Sequence, residues 1–179
     1  MMMRSCRPTG SPAMHHPAST NASARPVKLP HRALKDADWG DSFVITVDKP
    51  GLGAREAARH VINSAPRWYY HLLALRNAIV RPLGLKTDLD TTAMTKVDTI
   101  GVFPVISGTD DCVILGLDDH HLNFRIVFET EALERNRTLV RSITLVRRNN
   151  TLGRIYLAAV LPFHNLIVPA MLNAAYGSR

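Results

Sequence analysis

Apolar and polar positions first fall into a regular pattern between Trp39 and Asp48. There Phe43, Ile45 and Val47 alternate with Val44 and Thr46, and the β-branched run predicts a strand closed by Lys49-Pro50-Gly51. From Ala54 to Ser64 the period lengthens. Ala54, Ala57, Ala58, Val61 and Ile62 recur at helical spacing, and Pro66 ends the helix. A second helix is predicted from Trp68, with Trp68, Leu72, Leu75, Ile79 and Leu83 in one stripe, Arg76 on another face and Gly84 as C-cap.

After the polar stretch Lys86 to Lys96 the period returns to two. Strands are predicted over Thr99–Ile106, Cys112–Leu117, Leu122–Glu129 and Leu139–Arg147, separated by GTDD, DDHH and the charged ALERNR turn. Connections this short leave no room for crossover helices, so the sheet is expected to be an antiparallel meander. Asn149-Asn150-Thr151 then caps a last long helix, which Pro162 and Pro169 should bend. The fold class is α+β: a strand, two short helices, four strands and a long C-terminal helix.

That last helix carries no charge from Ile155 to Ser178, which is length enough to cross a membrane. His164, Asn165, Asn173 and two prolines interrupt it, and a core helix wrapped by a sheet has the same look, so no membrane span is expected.

Composition changes this picture in one respect. The net charge of +7 suggests a phosphate binder, but the first 35 residues hold six of the 22 Lys and Arg and none of the 15 acids. The folded part is close to neutral and lacks an RNA- or DNA-binding motif, so no nucleic-acid partner is expected. Residues 1–33 read as a disordered basic tail and 34–179 as a single domain. The tail resembles a transit peptide only weakly, and translation starting at Met14 is an alternative to a genuine tail. Two isolated cysteines, Cys6 and Cys112, give no metal or redox motif, and Cys112 reads as a buried inert thiol in a cytoplasmic protein.

Candidate chemistry is sparse. Gly51-Leu52-Gly53 sits between a strand and a helix, where a dinucleotide fingerprint would sit, but Glu56 replaces the third glycine and a plain turn is the better reading. Asp118-Asp119-His120-His121 is the densest titratable cluster. Adjacent histidines in a strand point to opposite faces, so a polar turn is expected there and no metal or other cofactor. In the strand Leu122 to Phe128, Leu122, Phe124, Ile126 and Phe128 share one face while Asn123 and Arg125 share the other. On a flat sheet Arg125 is solvated outside; around a cavity it anchors a carboxylate or pairs with Asp118 or Asp119.

Several longer motifs together resemble a bacterial family of unknown function, whose members occur alone or behind a short-chain dehydrogenase-like domain. They are Pro66-Arg67-Trp68, Leu72 to Asn77 with Leu83-Gly84-Leu85, Gly116 to Arg125, Asn149-Asn150, Gly153-Arg154-Ile155-Tyr156 and Pro162-Phe163-His164. Where that family usually shows Asp after His-Leu, this chain has Asn123. The family in turn resembles the START-like, Bet v 1-like helix-grip (SRPBCC) group, in which a curved antiparallel sheet wraps a long C-terminal helix. That resemblance implies an apolar cavity and a small hydrophobic ligand.

The residues expected to line such a cavity are Trp68, Arg76, His121, Phe124, Arg125, Tyr156, Ala159, Phe163 and His164. Two other functions compete with ligand binding. One is a cyclase- or isomerase-type enzyme using His121, Asp119 or His164 as acid or base; the other is an interaction module for a dehydrogenase-like partner. A homodimer is compatible with each.

Overall fold

Alternation along a strand sorts side chains to two faces, and both faces of this sheet are covered. The computed structural model describes residues 21–66 and 98–177. Within them lie β1 (Ser23–Arg25), β2 (Trp39–Val47), α1 (Ala54–Asn63), β3 (Thr99–Ile100), β4 (Phe103–Gly108), β5 (Cys112–Asp118), β6 (Leu122–Leu133), β7 (Arg137–Arg148) and α2 (Thr151–Tyr176). The strands form one antiparallel sheet in the order β1-β2-β7-β6-β5-β4-β3. The α+β class and the meander from β3 to β7 agree with the sequence reading.

On one face Ile45 and Val47 of β2, Val113 and Leu115 of β5, Phe128 of β6 and Val140 of β7 pack with both helices. α1 turns Ala54, Ala57, Ala58 and Val61 inward. Three alanines let its backbone lie close to the sheet. Its N-terminus has no side-chain cap; the Ala54 amide donates instead to the Asp110 carbonyl at 2.8 Å.

The opposite face carries Cys112, Val127, Ile143 and Leu145, and Val27, Ala33, Leu34 and Ala37 pack on it. Residues 21–33 are therefore ordered, which corrects the expectation of a disordered tail up to residue 33. β1 pairs with Ser42, Phe43 and Val44 of β2, and the Ala22 amide donates to the Asn173 side chain at 2.7 Å. Ion pairs fasten the same arm: Arg32 to Glu129, Asp36 to Arg147 and Asp38 to Arg148. Apolar residues that have somewhere to bury offset the entropy of ordering a segment poor in periodicity.

Three further expectations are revised. Gly101, at φ 59°, breaks the predicted strand Thr99–Ile106 into β3 and β4. β6 and β7 run further than predicted and leave only residues 134–136 as the turn, with Arg135 and Asn136 in the left-handed region. Cys112 is disulfide-bonded rather than a free thiol. The predicted helix from Trp68 and the stretch Lys86 to Lys96 lie outside the described residues.

α2 is continuous through Pro162 and Pro169. It lies on the sheet rather than inside it: only Gly153, Leu157 and Leu172 are buried. Among the described residues it is the one helix long and apolar enough, by length and composition, to cross a membrane.

His31, within the arm, accepts a hydrogen bond at Nδ1 from the Ala33 amide at 3.2 Å, a role that only the neutral ring fills. Burial lowers its pKa below the ordinary 6.5, with Arg32 and Arg141 adding to the effect and Glu129 opposing it. The folded state then binds fewer protons at His31 than the unfolded chain. The stabilisation is complete above the ordinary value and is lost as pH falls through the folded one. The urea midpoint is expected to fall between pH 7.5 and 5.5, and by less in His31→Gln; an equal fall in both proteins would show that His31 is not the group responsible.

Candidate functional site

Two neighbouring asparagines build the first part of the site. Asn149 donates through Nδ2 to the Asp119 carbonyl at 2.8 Å and through its backbone amide to the His121 carbonyl at 3.0 Å. Asn150 donates to the His120 carbonyl at 3.1 Å, while its side-chain oxygen accepts from the Gly153 amide at 3.0 Å and caps α2. All three carbonyls of the turn 119–121 are thus held by one elbow between β7 and α2. Gly153 sits so close to the His121 carbonyl that no side chain fits there. The motif residues DDHH, Asn149-Asn150 and Gly153 are far apart in sequence and form one junction.

The side chains of that turn converge. Residues 119–121 lie between β5 and β6, not within a strand, so the opposite-face argument for the two histidines does not apply; their ring centroids are 5.1 Å apart. Asp119 Oδ1 lies 2.6 Å from His120 Nδ1 and Oδ2 lies 3.4 Å from His121 Nδ1. Ligand atoms of all three residues fall within 4.8 Å of one another. Burial pushes the Asp119 carboxyl up, but hydrogen bonds from the His120 amide and ring, helped by both imidazoles, outweigh it and leave the pKa below the ordinary carboxylate value. His121 is buried, and Tyr156 of α2 meets its ring edge-on at 5.3 Å.

A second His–carboxylate pair lies further along α2. His164 Nε2 is 3.0 Å from Asp41 Oδ2, each side chain 19% exposed, and Trp39 contacts the imidazole edge-on at 5.8 Å. Trp39 and Asp41 share the helix-facing side of β2 with Phe43 and Ile45, by the alternation of the strand. Eight residues separate Tyr156 from His164, or about 12 Å along the helix. Trp39, Phe124, Tyr156 and Leu161 pack on one apolar cluster of Leu122, Val146 and Leu157 between the two pairs. Between Leu157 and Leu172 the helix rests on the sheet through half-buried side chains, among them Leu161, His164, Val168 and Met171.

Of the residues expected to line a cavity, His121, Phe124, Tyr156 and His164 come to this side of the sheet. Trp68 and Arg76 lie outside the described residues. Arg125 points to the other face, where Nη1 and Nη2 hold Asp118 at 2.6 and 3.0 Å, so it is a structural cation and not a cavity anchor. The pair holds the Asp118 carboxyl below its ordinary pKa. Ala159 lies about 200° around α2 from Leu157 and is half-buried. Phe163, about 120° from Leu157, is half-buried at the flank.

Asp41 and Trp39 are functional candidates that the sequence reading missed. Their signal is an acid inside the apolar side of an alternating strand. The Gly51-Leu52-Gly53 turn meanwhile borders an open depression of about 540 Å³, shared with Arg55, Thr109 and Asp110. Arg55 is already paired with Asp98.

No curated protein matches the chain. One family model does, over residues 33–171, a span that takes in both His–carboxylate pairs, the elbow at Asn149-Asn150 and nearly all of α2. The chain belongs to that family, described as "Protein of unknown function (DUF2867)".

Proposed function

We propose that this domain binds a small, largely apolar molecule bearing a hydrogen-bonding group, between the helix-facing side of the sheet and the middle of α2. In that reading it works as a helix-grip domain of the START-like kind. The observation that carries it is the middle of α2: between Leu157 and Leu172 its sheet-facing side chains are half-buried and apolar, with the His164–Asp41 pair placed among them. Apolar walls with a few placed polar groups are what small-molecule sites offer. The pair also favours a surface-lying helix over a membrane span, since a half-buried acid from the sheet meets the helix at its midpoint.

Val168 lies on the same helix face as Leu157 and His164 and is partly buried against the core. An anilinonaphthalene sulfonate probe is expected to bind the native chain saturably at about one site, and Val168→Trp to weaken it at least roughly tenfold at a cost of about 1–3 kcal/mol in stability. His164→Trp gives the same readout should Val168→Trp misfold. Absence of saturable binding would overturn the reading and favour an interaction module, for which Ile155 and Leu166 on the outer side of α2, 56% and 63% exposed, supply apolar contacts.

A catalytic reading rests on the same pair. Asp41 orients His164 as a carboxylate orients a general base, which suits proton abstraction in a cyclase or isomerase. It requires Asp41→Asn to abolish exchange of an enolisable ligand's proton with deuterium oxide while the probe still binds.

A further inference from the structure

We infer that Asp119, His120 and His121 form a binding site for a divalent transition-metal ion at the junction between the β5–β6 turn and α2. Two imidazoles and one carboxylate are the donor set that zinc and its first-row neighbours take, and three protein ligands leave a coordination position open to water or a ligand. The spacing fits. Bonds of roughly 2.0–2.1 Å in a tetrahedron place ligand atoms about 3.4 Å apart, and Asp119 Oδ2 and His121 Nδ1 are 3.4 Å apart. His120 Nδ1, now hydrogen-bonded to Asp119 Oδ1 at 2.6 Å, completes the set by exchanging that bond for the ion.

What distinguishes this cluster from an ordinary polar turn is its support. Three consecutive residues present their side chains from a backbone whose every carbonyl is bonded by Asn149 or Asn150, and Gly153 presses α2 against the last of them. Tyr156 braces the buried His121 ring edge-on. Fixed backbone and braced rings are the outer shell that metal ligands need. His120, 61% exposed, leaves a path for entry from solvent. The site is separate from the Asp41–His164 pair, so it stands whether or not a molecule binds beneath α2.

The full chain, stripped with EDTA and dialysed free of it, is titrated calorimetrically with Zn²⁺ and, in parallel, with Co²⁺ followed by its visible absorption. About one equivalent of Zn²⁺ is expected, with an affinity at least roughly tenfold lower in His120→Ala and in Asp119→Asn. Unchanged melting in the absence of metal shows that these variants remain folded, and two variants guard against either one misfolding. A His15→Ala/His16→Ala variant should bind as the parent does, which separates this site from the histidines near the N-terminus. Failure to bind, or binding unaffected by His120→Ala and Asp119→Asn, would overturn the assignment.

Discussion

A chain beginning at Trp39 should lose about 4 kcal/mol or more of stability relative to one beginning at Asn21, with a fall in the thermal midpoint of about 10 °C or more. The loss comes from the face of the sheet away from the helices. Among the described residues Val27, Ala33, Leu34 and Ala37 pack on Val127, Ile143 and Leu145 there, and Leu34 is itself buried. Leu34→Ala alone should cost about 2–3 kcal/mol, as core leucine truncations do. The arm's ion pairs are exposed and contribute little beside that. A midpoint difference under about 3 °C, worth about 1 kcal/mol for a domain of this size, would show that the arm is not part of the cooperative unit.

Gly153→Ala should destabilise the domain by about 2–3 kcal/mol, far more than the usual gain from replacing a helical glycine with alanine. The new methyl would overlap the His121 carbonyl oxygen, and the first turn of α2 would have to move away. That movement breaks the Asn150 cap and the Asn149 bond to the same carbonyl. Asn150→Ala is expected to cost about 1–2 kcal/mol through the cap alone. Because both changes loosen one junction, the double variant should cost less than the sum. Urea unfolding of the three proteins decides it: additive losses, or a Gly153→Ala loss below about 0.5 kcal/mol, would mean that the junction does not act as a unit.

Much of this architecture was legible in the pattern of residues. α1 announces itself through a clean period of 3.6, and β2 and β5 through β7 through short β-branched, apolar runs bounded by turn residues. β1 does not, since three edge residues held by backbone bonds leave no side-chain signature. The arm that covers the far face did leave a trace elsewhere. β7 is buried at nearly every position from Thr138 to Val146, and a strand apolar on both sides requires cover on both sides.

In the site, His121, Tyr156 and His164 stood out as polar groups beside apolar runs. Their partners were harder to foresee: Asp41 is more than a hundred residues from His164, and only the pairing of β2 with β7 and the path of α2 bring the two together. The two histidines of the DDHH turn were read with strand geometry, and a turn obeys different rules.

The sheet ends on both sides in very short strands, two residues in β3 and three in β1. An exposed strand edge is a template on which another polypeptide can polymerise, and brevity is one of the ways proteins deny it. Behind β1 lies β2, nine residues long and largely apolar. A protease cut between Arg25 and Trp39 would therefore do more than lower stability: it would uncover an adhesive ribbon, and the trimmed molecules would be drawn into strand-swapped assemblies or fibrils. On that reasoning the arm acts as the molecule's guard against its own copies.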